Sequence, residues 1–189
     1  MVPGKKNAGP GGTIVFVDES GFSEAPVIRR TWAPRGRTPV LRPRLRHWRR
    51  MSAIGALAYR SQGKKARVFL SLRSGPVVSE EVVRFLNHLA RHVRGPAVIV
   101  WDRLNIHRSF LVRAWFAGHS RFQVEFLPAY APELNPVEGL WSWLKGSQLA
   151  NVCEDSLDPI LQLVRRGTRR VRRRPDLLQG FLEKSGLSF

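Results

Sequence analysis

Apolar residues along this chain fall into short unbroken runs and into stripes at helical spacing. Ile14–Val17 and Ala97–Trp101 are continuous apolar runs bounded by polar residues, the pattern of strands buried on both faces. Met51–Tyr59 and Arg67–Leu72 read as two further strands, joined by the turn Ser61-Gln-Gly63. After Ser79, a potential cap, Val82, Leu86, Leu89 and Val93 recur on one helical face, with Glu80 and Glu81 in the first turn. Gly95-Pro96 ends that helix. A helix over Phe110–Ala117, closed by Gly118, precedes a strand at Phe122–Phe126. A helix over Pro136–Leu149 carries the stripe Val137, Leu140, Trp141 and Leu144. Asp158-Pro159 reads as an N-cap with proline at the first helical position, opening a helix whose apolar side is Ile160, Leu161, Val164 and Val171. Pro175 stops it. Strands first, then strand–helix alternation, predict an α/β fold with a mixed sheet flanked by helices.

Charge changes the picture most. In 189 residues, 32 Lys and Arg face 14 Asp and Glu, a net charge of +18 that suits a polyanionic partner. The excess is concentrated. From Ala25 to Ser79 there is no acidic residue and there are fourteen Arg or Lys. Nine of these are Arg29, Arg30, Arg35, Arg37, Arg42, Arg44, Arg46, Arg49 and Arg50, interleaved with Trp32, Trp48, prolines and a glycine. That mixture predicts a hairpin or extended ribbon. A second block, Arg165 to Arg174, contains seven arginines and covers the polar side of the last helix. No apolar run reaches the length of a membrane span, no basic amphipathic helix with an aromatic insertion face is seen, and the N-terminus lacks a signal-peptide core. Cys153, the single cysteine, excludes an internal disulfide and a cysteine-based zinc cluster, and reads as small buried filler. The expected setting is cytoplasmic and nucleoid-associated. The expected organisation is a flexible segment 1–12, a domain 13–150 and a basic helical extension 151–189.

Against this background three acidic residues stand out. Asp18 ends the first apolar run, Asp102 ends the second, and Glu138 sits in the first turn of the Pro136 helix. Ligands in open α/β sheets gather beyond strand ends, so these carboxylates can converge. Such a set suits hard divalent cations facing a phosphodiester. Each also has a purely structural explanation. The aspartates can turn the chain, Asp102 through Leu104 and Asn105. Asn135, Pro136 and Glu138 form an N-x-x-E capping box. Glu19 points to the opposite side of the strand from Asp18, toward solvent or an arginine, and Glu133 reads as loop surface. Asn105 and His107 trail Asp102 closely enough to be accessory residues, the histidine as a group steering water or a leaving oxygen.

At these residues the chain resembles the catalytic domain of DDE-type transposases, in the branch of mariner-like elements and bacterial insertion sequences. The likeness rests on Val15-Phe-Val-Asp-Glu-Ser-Gly-Phe22, Arg30-Thr-Trp-Ala-Pro-Arg-Gly-Arg-Thr-Pro39, Val98-Ile-Val-Trp-Asp-Arg-Leu-Asn-Ile-His107 and Leu127-Pro-Ala-Tyr-Ala-Pro-Glu-Leu-Asn-Pro-Val-Glu138. It continues through Trp141-Ser-Trp-Leu-Lys145 and covers roughly Thr13 to Leu149. The resemblance implies a ribonuclease H-like fold in which Asp18, Asp102 and Glu138 are the catalytic, metal-binding triad. It implies two Mg²⁺ ions as cofactor, replaceable by Mn²⁺, and an aromatic, arginine-rich hairpin that helps hold the transposon end. Arg103 departs from the family, whose members commonly carry Asn there.

The function so implied is metal-dependent cleavage of double-stranded DNA at transposon ends, followed by strand transfer to target DNA. A homodimer or larger synaptic oligomer is expected. Family members carry helix-turn-helix domains ahead of the catalytic domain, so end recognition is expected from a separately encoded partner, unless the chain is a truncated remnant. Two other readings stay open at this point: a stand-alone ribonuclease H-like nuclease, and a non-catalytic DNA-binding remnant.

Overall fold

A computed structural model describes residues 11–42, 49–60 and 66–187. These form a five-stranded sheet with helices on both faces. In chain order the elements are β1 (Thr13–Ser23), β2 (Arg50–Arg60), β3 (Ala66–Ser74), α1 (Ser79–His92), β4 (Ala97–Trp101), α2 (Phe110–Ala117), β5 (Phe122–Phe126), α3 (Pro136–Trp143), α4 (Leu157–Arg172) and α5 (Pro175–Lys184). The sheet order is β3-β2-β1-β4-β5. β1, β2 and β3 pair antiparallel, whereas β4 and β5 run parallel to β1.

Alternation along β1 divides the core in two. Ile14 and Phe16 face α3, α4 and α5, with Leu140, Leu144, Val164 and Leu178. Val15 and Val17 face α1 and α2, with Leu86, Leu89 and Trp115. A strand covered on both sides has no polar face to spare, which is why its sequence is continuously apolar. No helix of the described residues is long and apolar enough to cross a membrane.

Several boundaries differ from those the pattern predicts. The apolar run ends at Val17, but β1 continues to Ser23, because β2 pairs with it as far as Ser23↔Arg50. Its pairing with β4 ends earlier, at Phe16↔Val100. Asp18 thus lies within a strand on one side and beyond the ladder on the other. Ser79 is the first residue of α1 and does not cap it; the Val78 carbonyl accepts from the N–H groups of Glu81 and Val82 instead. The predicted Pro136 helix is α-helical only to Trp143, then widens into a π turn, Leu144–Gln148. α4 begins at Leu157 after an extended Ser156, so Asp158 and Pro159 fall inside its first turn. Pro175 does interrupt the helix, and it also starts α5 from the first helical position. α5 is not anticipated by the sequence pattern. It buries Leu178 and Leu182, and the Tyr59 hydroxyl donates to the Leu178 carbonyl at 2.9 Å.

The arginine-rich segment is an extended arm in its described part, not a paired hairpin. A turn within it places Gly36 at φ 79°, and the Arg37 N–H donates to the Pro34 carbonyl. The arm is anchored at its base by Asn151, which accepts from the Arg29 N–H and donates to the Arg29 carbonyl, both at 2.9 Å. Arg44, Arg46 and Trp48 lie outside the described residues, as does the turn Ser61-Gln-Gly63.

Candidate active site

One cleft of about 470 Å³ opens beside the C-terminal end of β4. Asp18, Asp102 and Glu138 all line it, together with Arg103, Leu104, Asn135 and the loop from Leu127 to Pro132. Three distant parts of the sequence therefore present carboxylates to one space.

Each carboxylate is supported differently. Asp18 shares the face of Phe16, toward α3, and its Oδ2 accepts the Trp141 indole N–H at 2.8 Å. The Trp141 ring reaches that position by lying over Gly55, which is paired with Asp18; a Cβ on Gly55 would stand 2.5 Å from the ring. Asn135 fastens the start of α3 to the same strand by donating to the Val17 carbonyl at 3.2 Å. Burial pushes the Asp18 carboxyl up to about 7; the indole hydrogen bond opposes this, while the negative charges of Glu138 and Glu19 add to it.

Asp102 follows β4 directly, and its Oδ1 accepts the Leu104 N–H at 3.0 Å. The same oxygen stands 2.9 Å from Nδ1 of His107. The other ring nitrogen, Nε2, lies 2.9 Å from Oε1 of Glu19. The ring is fully buried and stacks on Trp101 with centroids 4.2 Å apart. With an acceptor at each nitrogen, the ring is held as a doubly protonated cation. Burial works against that charge, but the hydrogen bonds to Asp102 and Glu19 and the attraction of both carboxylates raise its pKa to about 9. Burial also pushes Asp102 upward. The His107 and Leu104 hydrogen bonds and the imidazolium charge outweigh it and leave the carboxyl below its ordinary value.

Glu138 lies in the first turn of α3. Asn135 caps that helix, accepting the Val137 N–H at 3.2 Å. The return bond of a capping box is not made, because the Asn135 N–H donates to the Pro132 carbonyl. The Glu138 side chain is left exposed in the cleft, where an anion also gains from the helix N-terminus.

Two sequence expectations need correction. His107 does not face the cleft as a group that could steer water, since both nitrogens are committed behind Asp102. Glu19 does point away from Asp18, but its partner is His107 rather than solvent or an arginine. Asn105 opens the short 3-10 turn Asn105–Arg108 and is exposed. Arg29, Arg30, Arg35, Arg37, Arg42 and Arg50 are exposed, and Trp32 is 99% exposed. Arg49 is bound to the buried Glu24 through Nε and its backbone N–H, each at 3.0 Å.

Sequence pattern alone does not single out Trp141, hidden in an apolar stripe, nor Tyr130, nor the pairing of Glu19 with His107. Tyr130 stands fully exposed on the cleft rim with φ 57°. Among the described residues no three His, Cys, Asp or Glu side chains are gathered tightly enough to hold one ion unaided.

Residues 13–157 match the family model of the DDE superfamily endonucleases. No curated protein matches the chain at a significant level. Among solved structures, the chain is similar to the Mos1 mariner paired end complex with Mg at 18% identity and a TM-score of 0.59, covering 93% of this chain and 56% of the other. The Mos1 Strand Transfer Complex matches at 18% identity and a TM-score of 0.57, covering 93% and 55%. The isolated catalytic domain of the Mos1 mariner transposase matches at 16% identity and 0.52, covering 93% and 83%. The chain thus spans little more than half the transposase in those complexes, and the likeness is one of ribonuclease H-like fold. Since the family match runs from β1 through the helix bearing Glu138, the chain belongs to the DDE superfamily endonuclease family.

Proposed function

We propose that this chain is a transposase catalytic domain that cleaves DNA at transposon ends and joins the freed 3′ ends to target DNA, with Mg²⁺ or Mn²⁺ as cofactor. The observation that carries this is the convergence of Asp18, Asp102 and Glu138 on one cleft in which burial and neighbouring charge raise Asp18 to about 7. A carboxylate so placed disfavours its own charge until a cation is supplied.

The donor set fits hard divalent ions. Three carboxylates supply oxygen ligands, the donor type of Mg²⁺, which keeps waters and takes phosphate oxygens beside one or two carboxylates. Asp18, Asp102 and Glu138 would hold two such ions. When bound, the pair supplies Lewis acidity at the scissile phosphate and lowers the pKa of an attacking water.

The remaining work falls to the chain itself. Trp141 fixes the Asp18 carboxylate, and His107 fixes that of Asp102. Arg103, on the cleft wall, offers a cation to a phosphate oxygen. In the first step water attacks phosphorus and the 3′-oxygen leaves. In the second, the freed 3′-hydroxyl attacks a target phosphodiester and expels its 3′-oxygen. The exposed arginines of the arm would hold the DNA flanking the cleft. A second copy for pairing two ends, and a separately encoded helix-turn-helix domain for recognising them, complete the reading. Its place of action is the nucleoid in the cytoplasm.

The test is cleavage of supercoiled plasmid with Mg²⁺ or Mn²⁺ beside the variants Asp18→Asn, Asp102→Asn and Glu138→Gln. Each variant is expected to lose cleavage and keep DNA affinity within about two-fold, since binding is dominated by phosphate contacts. Cleavage surviving in all three would overturn the assignment.

A further inference from the structure

A cationic surface away from the cleft is left unused by the proposed function. β3 is the last strand on its side of the sheet. α4 runs alongside it, and a groove of about 320 Å³ between them is lined by Leu70, Leu72, Arg165, Thr168, Arg169 and Arg172. The three arginines recur at i, i+4 and i+7, so they form one stripe about 10 Å long on a single helix face. All three are exposed, and none has a carboxylate partner among the described residues. Nε of Arg172 donates to the Val68 carbonyl at 3.1 Å, which carries the stripe across the strand edge. Cations continue on the other side of β3. Arg67 lies 5.2 Å over the Phe69 ring, and His88 and His92 pack against the same ring at 5.8 and 6.1 Å.

Structural needs account for only part of this. Charges guard a free strand edge against pairing with other chains, and Arg172 serves that end at Val68. Cations suit the last turn of a helix, but Arg165 stands about two turns earlier, where that effect has faded. Like charges one turn apart instead destabilise a helix. Burial and the charges of His92, Arg91 and Arg172 together hold His88 below the ordinary histidine range. The cations around Arg172 and His88 thus meet no carboxylate among the described residues.

We propose that this edge is a track for the backbone of duplex DNA, a second contact beyond the cleft and the arm. It adds to the nuclease reading a place where DNA is held, and it does not depend on cleavage. Over about 10 Å one strand advances by roughly three phosphates, so each guanidinium group of the stripe can meet one. The floor of Leu70 and Leu72 lowers the local dielectric and strengthens charge contacts made above it. α4 also begins beside the arm, since Ile160 and Val27 line one pocket. Arm and stripe can therefore follow one duplex down the side of the domain.

The probe is a fluorescein-labelled blunt duplex, titrated with the full chain in EDTA from about 50 to 200 mM salt. The double variant Arg165→Gln/Arg169→Gln should weaken binding several-fold and flatten the log–log salt slope by about 1.8, at roughly 0.9 per phosphate lost. Arg165→Lys/Arg169→Lys should keep the slope. Relief of like-charge repulsion should leave the Gln variant melting no lower than the parent, which checks its folding. In NMR titrations the duplex should raise the His88 midpoint, because a phosphate beside the ring favours its charged form. It should do so even when Arg29, Arg30, Arg35 and Arg37 of the arm are neutralised. An unchanged slope in the Gln variant, or a His88 midpoint that the duplex does not move, would overturn the proposal. Aggregation of that variant with an unchanged slope would instead assign the arginines to guarding the edge. A polyglutamate peptide that outbinds the duplex at equal ionic strength, and does so only through Arg165 and Arg169, would make this a surface for acidic protein and would also overturn it. Plasmid cleavage separates the two readings. A parent that cleaves, with a Gln variant of unchanged slope, keeps the nuclease and loses the track; a flattened slope in a chain that never cleaves keeps the track and loses the nuclease.

Discussion

Replacing Asp18 with asparagine is expected to make the metal-free protein more stable, by an amount that grows with pH. Asp18 has its carboxyl raised from an ordinary 3.8 to about 7. Between those values the folded chain holds a proton that the unfolded chain has released. Folding therefore takes up a proton, and stability falls as pH rises through that window. The slope is about 1.4 kcal/mol per pH unit, so the full cost above pH 7 approaches roughly 4 kcal/mol. For a chain of this length that is up to about 8–16 °C in Tm. Asparagine removes the titration while its oxygen can still accept the Trp141 N–H. Other titrating groups are common to both proteins and cancel in the difference to first order. The assay is thermal and urea denaturation followed by circular dichroism in EDTA, near pH 5 and near pH 8. The variant's advantage should be about 2 kcal/mol near pH 5 and about 4 kcal/mol near pH 8. Millimolar Mg²⁺ should then stabilise the parent near pH 8 and leave the variant almost unmoved. Denaturation curves whose separation does not change with pH, or a variant less stable than the parent near pH 8, would refute the claim that Asp18 is held against its own charge.

Three further outcomes are expected. In ¹⁵N NMR, the His107 ring should stay doubly protonated through pH 8 and titrate near 9, and Glu19→Gln should lower that midpoint. Since the folded value lies above the ordinary 6.5, the stabilising contribution of this ring is complete below about 6.5 and is lost as pH rises through 9. Gly55→Ala should cost about 1–3 kcal/mol in urea denaturation and shift the tryptophan emission, because its Cβ meets the rigid Trp141 ring at 2.5 Å; an unchanged melt would show that the ring has room to move. Neutralising Arg29, Arg30, Arg35 and Arg37 should flatten the salt dependence of duplex binding by about 0.9 in log–log slope for each phosphate that the arm no longer neutralises. The same series on Arg165, Arg166, Arg169 and Arg170, all exposed on α4, tells whether that helix shares the footprint.

Much of this arrangement is legible as pattern. Strands covered on both faces must be continuously apolar, so Ile14–Val17 and Ala97–Trp101 declare themselves, and the aspartates after them mark where the sheet meets the cleft. What stays hidden depends on groups far apart in sequence or on atoms that hydropathy ignores. Glu19 and His107 are 88 positions apart, and nothing local to either predicts their hydrogen bond. Trp141 counts as one apolar residue in a stripe, yet its N–H holds Asp18. The capping box at Asn135 and Glu138 forms in its first half only, because the Pro132 carbonyl takes the N–H that the glutamate would have capped. Pro175 reads as a stop; that it also begins α5 follows only once Leu178 and Leu182 have a core to enter.

Three carboxylates brought to one cleft repel one another, and the structure meets that repulsion unevenly. Asp102 is neutralised from behind by the His107 cation, which is itself balanced by Glu19. Glu138 remains in solvent at a helix N-terminus, where water and the dipole bear its charge. Asp18 receives the Trp141 indole hydrogen bond and a weaker one from the Glu19 backbone, which together do not offset its burial and two neighbouring negative charges. The electrostatic cost of the site is thereby concentrated on Asp18. A cation entering the cleft gains most by relieving that one residue, since Asp102 is already compensated by His107 and Glu138 by water and the helix N-terminus. Loss of Asp18 should for this reason weaken metal binding more than loss of Glu138, and stabilise the empty protein more. Had all three been paired with internal cations the domain would be more stable, with little left to draw a metal into the cleft.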